Sequence, residues 1–185
     1  SVQLWSKFLE KLEPLKIHTF ITSGNHDSAD RLGVAANYLK YGNIFLETKY
    51  EGKLQSYHFE KDGIKVQFTL LPFIRPSNVR NQHDDFSSNR YNDAIEYVLK
   101  DFSNGDADYN ILLAHQFVIH GDEKPALSDS EIQPQVGGID AIHTSLFESF
   151  DYVALGHIHK PQKMGRETLR YSGSPLKYSK TERND

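Results

Sequence analysis

The sequence predicts a layered α/β domain with a mixed β-sheet flanked by helices. Three observations carry that expectation. Apolar, β-rich runs alternate along the chain with helical spacings of apolar residues. Asp62-Gly63 separates two strand-like stretches at 53–60 and 64–71, a strong hairpin signal. Three further apolar runs stop abruptly in turns rich in His and Asn, the pattern of strands whose ends face a common crevice. At 185 residues the chain is long enough for one domain with a sizeable core.

Taken in order, Trp5, Phe8, Leu9 and Leu12 fall on one helical face, and Pro14 ends the helix. Ile17–Ser23 (IHTFITS) reads as a strand that stops at Gly24-Asn25-His26-Asp27. Ser28 is placed to cap a second helix, whose apolar face carries Leu32, Ala35, Ala36 and Leu39 as far as Tyr41-Gly42. After the 53–71 hairpin, residues 74–88 read as irregular. Tyr91, Ala94, Ile95, Val98 and Phe102 mark another helix. Asn110–Ala114 (NILLA) is a short strand halted by His115-Gln116, and residues 120–140 read as a long loop. A short helix ends at Leu146–Phe150. Tyr152–Leu155 (YVAL) is then a strand stopping at Gly156-His157-Ile158-His159, followed by a hairpin through Gln162–Met164 and Thr168–Tyr171.

Composition narrows the chemistry. The chain has no cysteine, which excludes disulfide scaffolds, zinc–thiolate and iron–sulfur sites, and thiol catalysis. A metal site must use His, carboxylate or amide ligands, and nine histidines are available. The net charge of -4 gives no overall basic field, but it is uneven. Residues 160–185 hold seven Lys or Arg against three acids, a net +4, leaving -8 on the rest. No apolar run approaches the ~18 residues of a membrane span and no leader pattern opens the chain, so a soluble, cytoplasmic protein is expected.

The three strand ends bring forward Asn25, His26, His115, His157 and His159, a set with metal-ligand chemistry. In extended backbone His157 and His159 would point to one side. Singly, each has an ordinary explanation: a turn residue at 26, a satisfied core histidine at 115, half-exposed histidines at 157 and 159. Their joint occurrence at three strand ends is what raises the metal reading.

These motifs resemble the third, fourth and fifth motifs of the calcineurin-like metallophosphoesterases. The wider wording SGNHDSADRLG, LLAHQFVIHG, LFESFDYVALGHIHKPQ and RYSGSPLKYS resembles the SbcD-type nucleases within that family, from about Ile17 to the end of the chain. The resemblance implies the layered metallophosphoesterase fold. It also implies Asn25, His115 and His157 as ligands of one metal, His159 as a ligand of a second, and His26 as the catalytic histidine. Asp27 would orient His26 by accepting its ring N–H. The cofactors implied are two divalent ions, most often Mn2+, and the activity is phosphodiester hydrolysis at DNA ends and hairpins in repair and recombination. The implied partners are DNA, an SbcC-type ATPase subunit and a second nuclease subunit. Lys160, Lys163, Arg166 and Lys177, in the basic stretch after the last motif, are the expected DNA contacts.

One element of the pattern is missing. All the named ligands are neutral, whereas two divalent ions need carboxylates. The family supplies these from an Asp-x-His and a Gly-Asp-x-x-Asp-type turn, and neither precedes Ile17. Asp27, Asp122 and Glu123 are the nearest substitutes. Residues 1–185 are therefore expected to be a partial nuclease domain, N-terminally incomplete and without cap or partner-binding segments. Two other readings stay open: a small-substrate phosphodiesterase or phosphatase of the same superfamily, and a non-catalytic interaction module with a degenerate metal site.

Overall fold

A computed structural model describes residues 2–34, 36–128, 131 and 140–176. Lys177 lies outside the described residues, as does most of the stretch 129–139. Helix α1 (Val2–Leu12) carries Trp5 and Phe8 in ring contact and runs into a 3-10 turn at Glu13–Leu15, where Pro14 cannot continue the helix. Strand β1 (Thr19–Thr22) follows and pairs in parallel with β2 (Ile44–Glu47), a strand too short to be read from its pattern. Between them lie two short helices, α2 (Ala29–Gly33) and α3 (Ala36–Leu39), in place of the single helix expected. At the end of α2 the chain runs close to the strand beyond: a Cβ on Gly33 would stand 2.9 Å from the Thr48 hydroxyl. Ser28 occupies the N-cap position of α2 with extended backbone, but its hydroxyl makes no capping bond.

The main sheet has six strands, in the order β3 (Gln55–Lys61), β4 (Ile64–Leu71), β5 (Tyr109–His115), β8 (Tyr152–Gly156), β10 (Arg166–Tyr171) and β9 (Gln162–Met164). Strands β3 (Gln55–Lys61) and β4 (Ile64–Leu71) form the expected hairpin. Asp62 and Gly63 have φ of 53° and 78°, the paired positive values that a tight two-residue turn demands. From β4 the chain passes through α4 (Pro76–Arg80) and α5 (Tyr91–Leu99) to β5 (Tyr109–His115). Helix α4 falls in the stretch that reads as irregular, because five residues are too few to show a helical period. Pro76 starts it, and the Asn78 side chain accepts the Arg75 N–H at 2.7 Å.

After β5 come two-residue strands β6 (Val118–Ile119) and β7 (Ile142–His143), paired in parallel. A 3-10 turn at Thr144–Phe147 then leads to β8 (Tyr152–Gly156). The hairpin β9 (Gln162–Met164) and β10 (Arg166–Tyr171) closes the sheet, with β10 also lying parallel to β8. Strands β4, β5, β8 and β10 are thus a parallel centre, and both outer strands are antiparallel. Helix α5 buries Ala94, Ile95 and Val98 in a core shared with Leu112, Ala114, Val153, Leu155, Leu169 and Tyr171 on alternate strand positions. Strand β1 packs against β4 and β5 from the other face, with Phe20 stacked on Phe68 at 4.1 Å between centroids. Among the described residues no helix is long and apolar enough to cross a membrane.

Candidate metal centre

Three strand ends meet at one cleft, for reasons that start in the sheet. His115 is the last residue of β5 and pairs in register with Gly156, the last residue of β8. Next to them, β1 ends at Thr22, and Ser23 turns the chain: its hydroxyl donates to the Thr48 carbonyl at 2.8 Å, and its own carbonyl accepts the Phe73 N–H at 3.0 Å. The Gly24–Asp27 turn is closed by the Asp27 N–H donating to the Gly24 carbonyl, and by the Gly24 N–H donating to Asp27 Oδ2 at 2.7 Å. The result is a cleft of about 630 Å³ lined by Asn25, His26, Asp27, His115, His157 and His159, with Glu131 among them.

At its centre, Asn25 Oδ1 lies 3.0 Å from His115 Nε2 and 3.3 Å from His157 Nδ1. These partners are 90 and 132 positions from Asn25 in the chain, so only the fold brings them together. The His115 and His157 rings stand edge to face with centroids 5.3 Å apart. Burial, with His157 and His26 nearby, pushes His115 down to about 4. Burial also lowers His157, against the opposing charge of Glu131 and with help from His26 and His159. Both imidazoles are neutral at neutral pH, the form in which a ring nitrogen can ligate a metal.

Room for this geometry comes from two glycines. A Cβ on Gly24 would stand 2.6 Å from His115 Cε1, and one on Gly156 would stand 2.8 Å from His115 Nδ1. His157 itself has φ of 98°, a region that costs a non-glycine residue of order 1–3 kcal/mol. This corrects the extended-strand expectation for His157-x-His159. The two histidines line one cleft because the chain turns there and buries Ile158, 3% exposed, in the core between them.

Asp27 accepts the Gly24 N–H, three residues back, through one carboxylate oxygen, which an Asp side chain reaches without leaving its own turn, and so holds that turn. His26 and Asp27 are exposed at the rim, and Asn25, His115, His157 and His159 are half-buried. Asp122 and Glu123 do not line the cleft; they belong to a turn closed by main-chain bonds between His120 and Glu123. Among the basic residues, the Arg166 guanidinium donates to the carbonyls of Phe147 and Phe150. The Lys163 ammonium pairs with Glu167, and Lys160 is exposed directly after His159. Sequence reading passes over Glu131, because its loop has no periodicity and matches none of the motifs.

A divalent ion fits the neutral half of this site. Asn25 Oδ1 lies within reach of both His115 Nε2 and His157 Nδ1, donor atoms from three separate segments, with both imidazoles held toward the neutral form. Among the described residues, no three His, Asp or Glu side chains are grouped closely enough to hold a metal by themselves.

Comparison with known proteins gives two findings. The family described as calcineurin-like phosphoesterase matches residues 3–161. A curated relative from Staphylococcus epidermidis, the SbcD subunit of the nuclease SbcCD, is 34% identical over 172 residues, which is 92% of this chain and 44% of the relative. The chain thus spans less than half the length of that protein.

Proposed function

This chain belongs to the calcineurin-like phosphoesterase family, and from that premise we propose that it forms part of a metal-dependent DNA nuclease subunit of SbcD type. The observation that carries the reading is the Asn25 oxygen shared between His115 and His157, a neutral three-donor arrangement at the ends of parallel strands. Asn25, His115 and His157 would hold one divalent ion, and His159 would face a second. Such ions, Mn2+ being our choice, would supply Lewis acidity for hydrolysis at phosphorus. The chain's own residues do the rest. His26, exposed at the rim, donates to the scissile phosphate or leaving oxygen. Asp27 keeps the 24–27 turn closed, and Lys160 and Lys163, exposed beyond the last motif, would contact a phosphate backbone.

The carboxylates that balance the metals are assigned to parts of the whole protein outside residues 1–185, which accords with the greater length of the relative. In the whole protein we place a second nuclease subunit, an SbcC-type ATPase and DNA ends as partners, in the cytoplasm. The test uses the whole protein with Mn2+ and linear duplex DNA. Asn25→Ala or His157→Ala should abolish calorimetric Mn2+ binding and cleavage together. His26→Ala should leave metal binding intact and slow turnover by about 10²-fold or more. Hydrolysis of an aryl phosphodiester with no cleavage of DNA would replace this reading with a small-substrate phosphodiesterase. Metal-independent behaviour throughout would favour an interaction module.

A further inference from the structure

The cleft contains two described carboxylates, and each is turned onto main chain. Asp27 Oδ2 accepts Gly24 N–H within the first motif turn at 2.7 Å. Glu131 does the equivalent for the last motif turn from 28 positions away: its Oε1 accepts the His159 N–H at 2.8 Å. Its other oxygen accepts the Ser128 N–H at 2.6 Å, and the Glu131 N–H returns to the Ser128 carbonyl at 3.1 Å. With both oxygens engaged by backbone N–H groups, Glu131 grips the turn. Such charge-assisted bonds are roughly twice as strong as neutral ones.

The gripped turn needs holding. His157, at φ 98°, adopts a conformation that persists only where its surroundings over-determine it. Two restraints come from packing: Ile158 is buried in the core, and the Phe117 ring meets His157 edge to face at 6.3 Å. Two more act on the His159 main chain: its carbonyl accepts the Ser174 N–H at 2.8 Å, and its N–H donates to Glu131. We propose that Glu131 is a positioning residue, which fixes the His157-Ile158-His159 turn so that both imidazoles are presented to the cleft. The proposal rests on the nuclease reading above, for which this turn supplies metal ligands.

The experiment takes the whole protein as wild type, Glu131→Gln and Glu131→Ala. In the metal-free state, amide hydrogen exchange at His159 should accelerate about tenfold or more in Glu131→Ala, and less in Glu131→Gln, which keeps one acceptor oxygen. Exchange at Leu112 and Leu155 should stay at wild-type rates. Mn2+ affinity should fall about 10-fold or more, with kcat recovered at high Mn2+ and KM for DNA unchanged. Equal acceleration throughout the core would assign Glu131 a general structural role and overturn the proposal. Unchanged exchange at His159 with unchanged metal affinity would overturn it too. A wild-type protein that binds no metal would sink the nuclease reading instead, and acceleration confined to His159 would still support the brace.

Discussion

Gly24 and Gly156 enclose the His115 ring from two sides, and neither has a positive φ that would require glycine for backbone reasons. Their requirement is steric: any Cβ would meet the imidazole at 2.6 Å or 2.8 Å. Gly156→Ala is therefore a clean probe, since the backbone tolerates Ala and only the contact changes. It should destabilise the protein by about 1–3 kcal/mol, as overpacking does, and displace Nε2 from the Asn25 oxygen. Thermal denaturation and Mn2+ titration of the variant check both effects, and wild-type values in both would refute the steric account. The sequence marks these glycines as turn residues. It gives no sign that what they accommodate is a histidine from another strand.

At the scale of elements, the hairpin β9–β10 shows how a basic residue can be absorbed by the fold. The Arg166 guanidinium serves the carbonyls of Phe147, which ends the 3-10 turn, and of Phe150 just beyond it, both residues almost fully buried. Removing it takes a charged donor from the Phe150 carbonyl, while the Phe147 carbonyl keeps the Phe150 N–H at 3.2 Å. Arg166→Ala is expected to lower unfolding free energy by about 1–3 kcal/mol, whereas Lys163→Ala, on an exposed ion pair, should change it by less than about 1 kcal/mol. Urea denaturation distinguishes the two. Loss of DNA affinity in Arg166→Ala without loss of stability would mark the guanidinium as a DNA contact instead. Charge clustering in the sequence cannot separate these roles, because it records sign and not partner. The same limit hid β2 and α4, whose four and five residues are too short for periodicity and are set by parallel pairing and a proline start.

For the whole molecule the central quantity is charge at the metal cleft. Two divalent ions would meet neutral imidazoles, one amide, and two carboxylates already engaged with backbone. Residues 1–185 alone should therefore bind Mn2+ at least about tenfold more weakly than the whole protein, measured by calorimetry on both. Equal affinity would show that the described ligands suffice.

By itself the sequence determined the layered α/β class, the Asp62-Gly63 hairpin, and the identity of the three polar strand ends. These are local matters: period, turn chemistry and where an apolar run stops. Tertiary structure decided which of those ends share an atom, because Asn25 meets partners 90 and 132 residues away only through the parallel register of β5 with β8 and the packing of β1 against β5. It also decided the strained turn at His157 and the carboxylate of Glu131 on the His159 amide. Such contacts depend on loop closure over long chain separations, which leaves no periodic trace in the residues themselves.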